Sequence, residues 1–277
     1  MKATAKINGT ELAYAVRGEG EPVLLMHCGF VAEAFAPLLS ETVLTGRHQL
    51  IDYQRRGYGA SARATGPMSV SEQAADARAL LQHLGIERAH VVGHSYGGVV
   101  ALQLALDTPG AVHSLALLEP AIPAALGDPE VAQAFMEGVG KAYGQFGAGD
   151  KAGAVDTWLT GAFGPGYREI ADAALPGWFE QAVRDTDVVF QVEAPNLQQW
   201  SFTPAEAGRM RQPVLSAYHQ DVWPGFQKTH DLLQAWLPQT EAALLPVARH
   251  LLQIMDPRVV AEALAGFFQR HPMRVYA

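Results

Sequence analysis

Gly93-His94-Ser95-Tyr96-Gly97, with Gly98 directly behind it, follows the apolar run Ala89-His90-Val91-Val92 and precedes Val99-Val100-Ala101-Leu102-Gln103-Leu104-Ala105. The order is strand, tight turn, helix, with a serine at the apex. A serine hydroxyl is a poor nucleophile at neutral pH. It must be held clear of its own backbone, where a base can take its proton and amides can receive the charge that develops. A G-x-S-x-G elbow does this by straining the serine backbone, which brings strand and helix so close that side chains at Gly93 and Gly97 would clash. A Gly-Ser-Gly turn alone also reads as an ordinary loop. The strand before and the helix after it make Ser95 a candidate nucleophile.

Outward from this turn, strands and helices alternate. Thr4 to Ile7 and Thr10 to Val16 flank Asn8-Gly9, the preferred pair for a type I′ hairpin turn. Val23-Leu24-Leu25-Met26 and Val112 to Glu119 are runs of the kind found in strands buried on both faces. A helix is expected through Phe35 to Leu39, and a strand over His48 to Tyr53, closed by Arg56-Gly57-Tyr58-Gly59-Ala60-Ser61. Ser71 to Leu84 has helical periodicity, with Gly85 as its stop. Beyond Pro120 the pattern changes. Helical stretches such as Pro129 to Tyr143 are separated by Gly147-Ala148-Gly149, Gly164-Pro165-Gly166 and Pro176-Gly177, with no convincing strand until Pro213 to Tyr218. Helix over Gly225 to Leu237, strand over Glu241 to Pro246 and helix over Pro257 to Gln269 complete the alternation. The expected fold class is therefore α/β, a mostly parallel central sheet flanked by helices, with a helical cap inserted into it.

The 277 residues suit one large core with an insertion, and a hydrophobic content of 49% can fill it. The lone Cys28 excludes an internal disulfide, and Met1 to Lys6 lacks the apolar stretch of a secretory signal, so a cytoplasmic protein is expected. No apolar run approaches the roughly 18 residues of a membrane span. The net charge of −8, without a basic cluster, argues against nucleic acid. The expected partner is a small hydrophobic substrate, with a homodimer left open.

His27-Cys28-Gly29, Arg56 to Ser61, the Gly93 to Gly97 elbow and the late His250 stand in an order that resembles the α/β-hydrolase superfamily over nearly the whole chain. The resemblance implies a core of residues 1–119 and 212–277 and a cap of residues 120–211. It also implies a chain order of nucleophile, acid, histidine. His250, after the last strand and before the last helix, then takes the place of the base, with His219 as its competitor. His48, His83, His90, His113, His230 and His271 read as surface or hydrogen-bonded residues. His94 belongs to the elbow but points away from the nucleophile, and His27 braces the neighbouring loop.

The acid departs from the commonest family pattern, Gly-x-x-Asp after the strand that follows the cap. Here that place reads His219-Gln220-Asp221-Val222. Glu119 instead ends the strand after the elbow helix, a position from which some haloalkane dehalogenases and lactonases take their acid. A charge ending a run as apolar as Leu115-Ala116-Leu117-Leu118 is costly to bury without a partner. Glu119 is favoured over Asp221, although it also reads as a strand cap or a contact to the cap. For the oxyanion hole the resemblance implies the amide of Tyr96 and that of Gly29, with Phe30 the alternative to Gly29. Cys28 replaces a usual glycine there and, lacking an elbow, is not a nucleophile.

From Pro120 to Arg211 there are six basic and twelve acidic residues, −6 of the chain's −8, which disfavours multiply anionic substrates. Trp158, Phe163, Trp178, Phe179, Phe190, Trp200 and Phe202 supply the cap's own core and its contact with the sheet domain and, in part, an apolar pocket. No metal-ligand spacing is present, and no cofactor is expected. These features lead to a serine hydrolase that cleaves a neutral hydrophobic ester or lactone through an acyl-enzyme. The alternatives are a carbon–carbon bond hydrolase of the same fold and a non-catalytic small-molecule receptor. Haloalkane dehalogenation fits less well, because those relatives carry aspartate where this chain has Ser95.

Overall fold

The computed structural model describes residues 2–64, 66–127, 129–219, 224–247 and 249–273. Among them eight strands form one sheet: β1 (Lys2–Ile7), β2 (Thr10–Arg17), β3 (Glu21–Met26), β4 (His48–Tyr53), β5 (Ala89–His94), β6 (Val112–Leu118), β7 (Val214–His219) and β8 (Thr240–Leu245). Their order is β1-β2-β4-β3-β5-β6-β7-β8, antiparallel across the first two junctions and parallel thereafter. The opening hairpin turns at Asn8 and Gly9, whose φ values of 46° and 77° are the positive pair that a type I′ turn requires.

The central parallel strands β3, β5 and β6 are buried over most of their length because helices cover both faces. Val23, Leu24, Leu25 and Met26 of β3 are all fully buried, each worth about 1.5–3 kcal/mol of burial. On one face they meet the helices Val70–His83 and Tyr96–Asp107, and on the other the helix Pro257–Arg270. Helix Val70–His83 starts at a capping box in which Ser69 and Glu72 each bond the other's backbone amide, and it ends before Gly85 at φ 72°.

No described strand lies between Leu118 and Val214. The helices Pro129–Gly147, Lys151–Phe163, Tyr167–Ala174, Trp178–Arg184 and Ala194–Gln199 occupy that span; apolar residues of the first four pack with Phe30 and Tyr58, and Leu197 of the last packs against the cluster around β3, β5 and the elbow helix. A single π-helical turn, Val189–Glu193, interrupts them.

Three local expectations are adjusted. The segment after Phe35 is a 3₁₀ turn, Ala36–Ser40, because Pro37 lies in its first turn and no long run follows. Strand β6 ends at Leu118, since Glu119 turns to φ 44° and leaves the extended region. The helix after β7 begins at Pro224, one residue earlier than read, with proline in its usual first-turn place.

Candidate active site

Ser95 sits between β5 and its helix at φ 53°, ψ −119°, a conformation that costs about 1–3 kcal/mol for a residue with a side chain. The surroundings hold it there. Its amide donates to Leu118 O at 3.0 Å, and its carbonyl accepts from Gly98 N at 2.9 Å and Ala121 N at 3.1 Å. A Cβ on Gly93 would come within 2.6 Å of Gly97 O, and one on Gly97 would overlap Met26 O. A Cβ on Gly98 would lie 2.6 Å from that of Pro120, so the third glycine is as constrained as the two of the motif.

Glu119, at the next strand end, is buried and also left-handed. Its Oε2 accepts from His250 Nδ1 at 2.6 Å. Its Oε1 accepts from both His219 N, at 2.9 Å, and His219 Nδ1, at 2.5 Å. Burial pushes its pKa up, but the hydrogen bonds from His219 and His250 outweigh burial and bring it down to about 2. The carboxylate is therefore ionised at neutral pH and acts purely as acceptor.

His250 is buried under Phe226, which stacks on it at 4.0 Å, and beside Phe163 and His94. With Nδ1 on Glu119, its Nε2 is the nitrogen left for another partner. His94, packed 4.6 Å from His250, accepts at Nδ1 from Gln253 Nε2 at 3.0 Å, and burial followed by the proximity of His250 holds its pKa well below 6.5. His27 braces the loop after β3: Nδ1 contacts Cys28 O at 2.7 Å, and Nε2 accepts from Arg55 N at 2.9 Å. In that loop burial pushes the Cys28 thiol up to about 12, which leaves it protonated.

Ser95, Tyr96, Gly29, Phe30 and His250 line one cavity of about 340 Å³, whose walls include Trp158, Phe163, Leu197 and Phe226. No lysine or arginine is among the described lining residues. The cavity lies at the carboxyl ends of the strands, the usual place for a ligand in an open parallel sheet. A larger open groove of about 740 Å³ runs past Gly20, His48 and Phe268 at the opposite strand ends, and neither Ser95 nor His250 lines it. Phe30 is left-handed at φ 63°, and Tyr96 occupies the first position of the elbow helix, where amides have no intrahelical acceptor. Asp221 lies outside the described residues. His219 bonds Glu119 but is not among the residues lining the cavity. Among the described residues no group of three or more His, Cys, Asp or Glu is arranged to hold a metal ion.

One structure at the site was not anticipated. Arg55 is fully buried, with its guanidinium reaching His27 O and Cys28 O at 3.2 Å, Gln73 Oε1 at 2.9 Å and Glu193 Oε1 at 2.6 Å. The rings of Tyr58 and Tyr96 lie 4.9 and 5.1 Å from its central carbon. Burial alone would lower its pKa, but the Glu193 carboxylate together with Tyr58, Tyr96 and Tyr53 outweighs that and holds it above the ordinary value. One side chain thus ties the loop after β3, the elbow and the π turn together. The available signal was limited to Glu193, a charge following Val188, Val189, Phe190 and Val192 in a stretch broken only by Gln191, and nothing local named Arg55 as its partner.

A family model described as the alpha/beta hydrolase fold matches residues 21–257, most of the chain. The chain belongs to the α/β-hydrolase fold family. Among curated relatives, a putative carbamate hydrolase RutD of Azorhizobium caulinodans is 39% identical over 109 residues, which are 39% of this chain and 40% of that protein. The dihydrolipoyllysine-residue acetyltransferase component of an acetoin cleaving system of Pseudomonas putida is 29% identical over 276 residues, 96% of this chain and 69% of that protein. The chain thus spans less than half the length of the first relative. The enol-lactonase of Burkholderia xenovorans superposes with a TM-score of 0.76 at 21% identity, covering 96% of this chain and all of that one. An N-acyl homoserine lactone degrading enzyme gives 0.73 at 23%, with the same coverage. At such identities these two structures establish the fold alone. No helix among the described residues is long and apolar enough to cross a membrane.

Proposed function

We propose that this α/β-hydrolase is a serine hydrolase that cleaves neutral, hydrophobic esters or lactones through an acyl-enzyme. The observation that carries the reading is that Ser95, on its strained elbow, and His250, bonded through Nδ1 to an ionised Glu119, line the same apolar cavity. In the first half-reaction His250 Nε2 takes the Ser95 proton as Oγ adds to the carbonyl carbon. The oxyanion is received by the Tyr96 amide and by one from the loop after β3. Gly29 and Phe30 both line the cavity, and the left-handed backbone at Phe30, which turns successive amides to one side, favours Phe30 as the donor. The tetrahedral adduct collapses as His250 returns the proton to the leaving oxygen. Water, deprotonated by His250, then adds to the acyl carbon and releases the acid and Ser95.

Glu119 is assigned to orienting His250 and stabilising its charged form. Residues 120–211 are assigned to a lid that supplies Trp158, Phe163 and Leu197 to the cavity. The absence of Lys or Arg from the described lining supports a neutral substrate over the carboxylate-bearing substrates usual for carbon–carbon bond hydrolases. Relatives named for acting on a carbamate, an enol-lactone and an N-acyl homoserine lactone support acyl transfer as the reaction class. Labelling with a serine-directed phosphonate followed by peptide mass spectrometry tests the reading, alongside turnover of a chromogenic ester series. The expected result is one label, on Ser95, and loss of turnover in proportion to it. An unlabelled protein with only background hydrolysis would instead indicate a receptor.

A further inference from the structure

We propose that His219 is a positioning residue, which grips one oxygen of Glu119 and so reserves the other for His250. The inference rests on the reading of Glu119 and His250 as the acid–base pair, and goes beyond it by assigning work to a third side chain that does not line the cavity.

A glutamate carboxylate rotates in a broad, roughly two-fold torsional well, so a single contact does not fix which oxygen faces a given neighbour. At Glu119 the choice is fixed. The backbone N–H and the ring Nδ1 of His219 converge on Oε1, two donors from one residue forming a pincer, while His250 alone takes Oε2. All three donors meet an ionised acceptor, the strong kind of hydrogen bond. Both imidazoles must then carry their proton on Nδ1, which leaves Nε2 of His250 free to act as a base. His94, packed on His250, is the further titratable group facing this cluster.

The requirement on residue 219 is a side-chain N–H that donates to Oε1 beside the backbone N–H. An asparagine, whose Nδ2 stands close to the place of the imidazole Nδ1, meets this requirement. A leucine keeps the bulk and the backbone N–H but loses the side-chain donor.

The test compares His219→Leu and His219→Asn in steady-state hydrolysis of a chromogenic ester. His219→Leu is expected to lower kcat about ten- to hundredfold, the range for a lost hydrogen bond to a charged group, with KM within about twofold. His219→Asn is expected to restore kcat to within about threefold of the parent. Equal losses in both variants, or a His219→Leu enzyme with unchanged kcat, overturn the proposal. Proton NMR of the unaltered protein decides the matter even if His219→Leu does not fold. Two low-field Nδ1–H resonances are expected, one lost in His219→Asn and both displaced in Glu119→Gln. A single such resonance that His219→Asn leaves untouched overturns the proposal. If Ser95→Ala leaves hydrolysis unchanged, the hydrolase reading fails instead, and the NMR result still decides whether His219 holds Glu119.

Discussion

Glu119 Oε2 lies 2.6 Å from His250 Nδ1, although 131 positions separate the two residues in the chain. Glu119→Gln keeps the size but places an amide NH₂ opposite one of two imidazole N–H groups and removes the charge. A loss of at least about a hundredfold in kcat is expected, within the range for removing such an acid elsewhere. Asp221→Asn should cost far less. Parallel kinetics on the two variants check this, and an exchange of outcomes assigns the acid to Asp221.

Ser95→Ala should lower ester turnover by several orders of magnitude with the fold intact, and His250→Ala should do comparable damage. The double variant should be no worse than either single one, because the two act as a unit. Multiplying losses would point to a different base.

Gly97→Ala should yield little folded protein. Its Cβ would occupy the space of Met26 O, a backbone atom of β3 that cannot give way without moving the strand. Expression and circular dichroism beside Gly85→Ala supply the contrast. At φ 72° that glycine is strained by a side chain but has open space around it, so a loss of about 1–2 kcal/mol and a folded protein are expected.

Glu193→Ala leaves the Arg55 charge buried and unmatched, which should lower unfolding free energy by about 3–5 kcal/mol in urea titrations. Replacing both residues by methionine should be less harmful than Glu193→Ala. A double variant as unstable as the single one would show that Arg55 acts through its other contacts, to His27, Cys28 and Gln73.

Stability should fall from about pH 6.5 downward, before any carboxylate titrates. His27 and His94 are held well below 6.5, and His90 is lowered to about 4, each chiefly by burial. The unfolded chain therefore takes up protons at these sites before the folded one does, and stability is lost as pH drops through the unfolded value. Glu119, lowered to about 2, adds a second loss between about pH 4.5 and 2, because its stabilising pairs are complete only above the unfolded pKa. Urea midpoints at pH 7, 5.5 and 4.5 check the first step. A flat response across them contradicts it.

The sheet was legible because burial on both faces writes continuous apolar runs such as Val23 to Met26, and because Asn8-Gly9 and Gly93 to Gly98 demand particular backbone geometry. The burial need of Glu119 was legible for a related reason, since a charge after four apolar residues requires partners. Arg55 with Glu193 and His219 with Glu119 were not, because each pairing joins residues 138 or 100 positions apart and no local pattern records it. The π turn adds one residue to a helical repeat, a phase shift that averaging over 3.6-residue periodicity erases.

The π turn and its neighbours also bear on how molecules reach Ser95. Asp185 accepts from Gly59 N, Glu193 from Arg55, and Asn196 donates to Met68 O, so residues 185–196 are riveted to the sheet domain at three successive points. Met136, on helix Pro129–Gly147, lines the same cavity yet keeps 56% of its surface in solvent. Met136 therefore marks a side on which the cavity wall meets solvent, opposite the riveted side, so bulky residues installed at Met136 should slow arrival and departure without touching the chemical step.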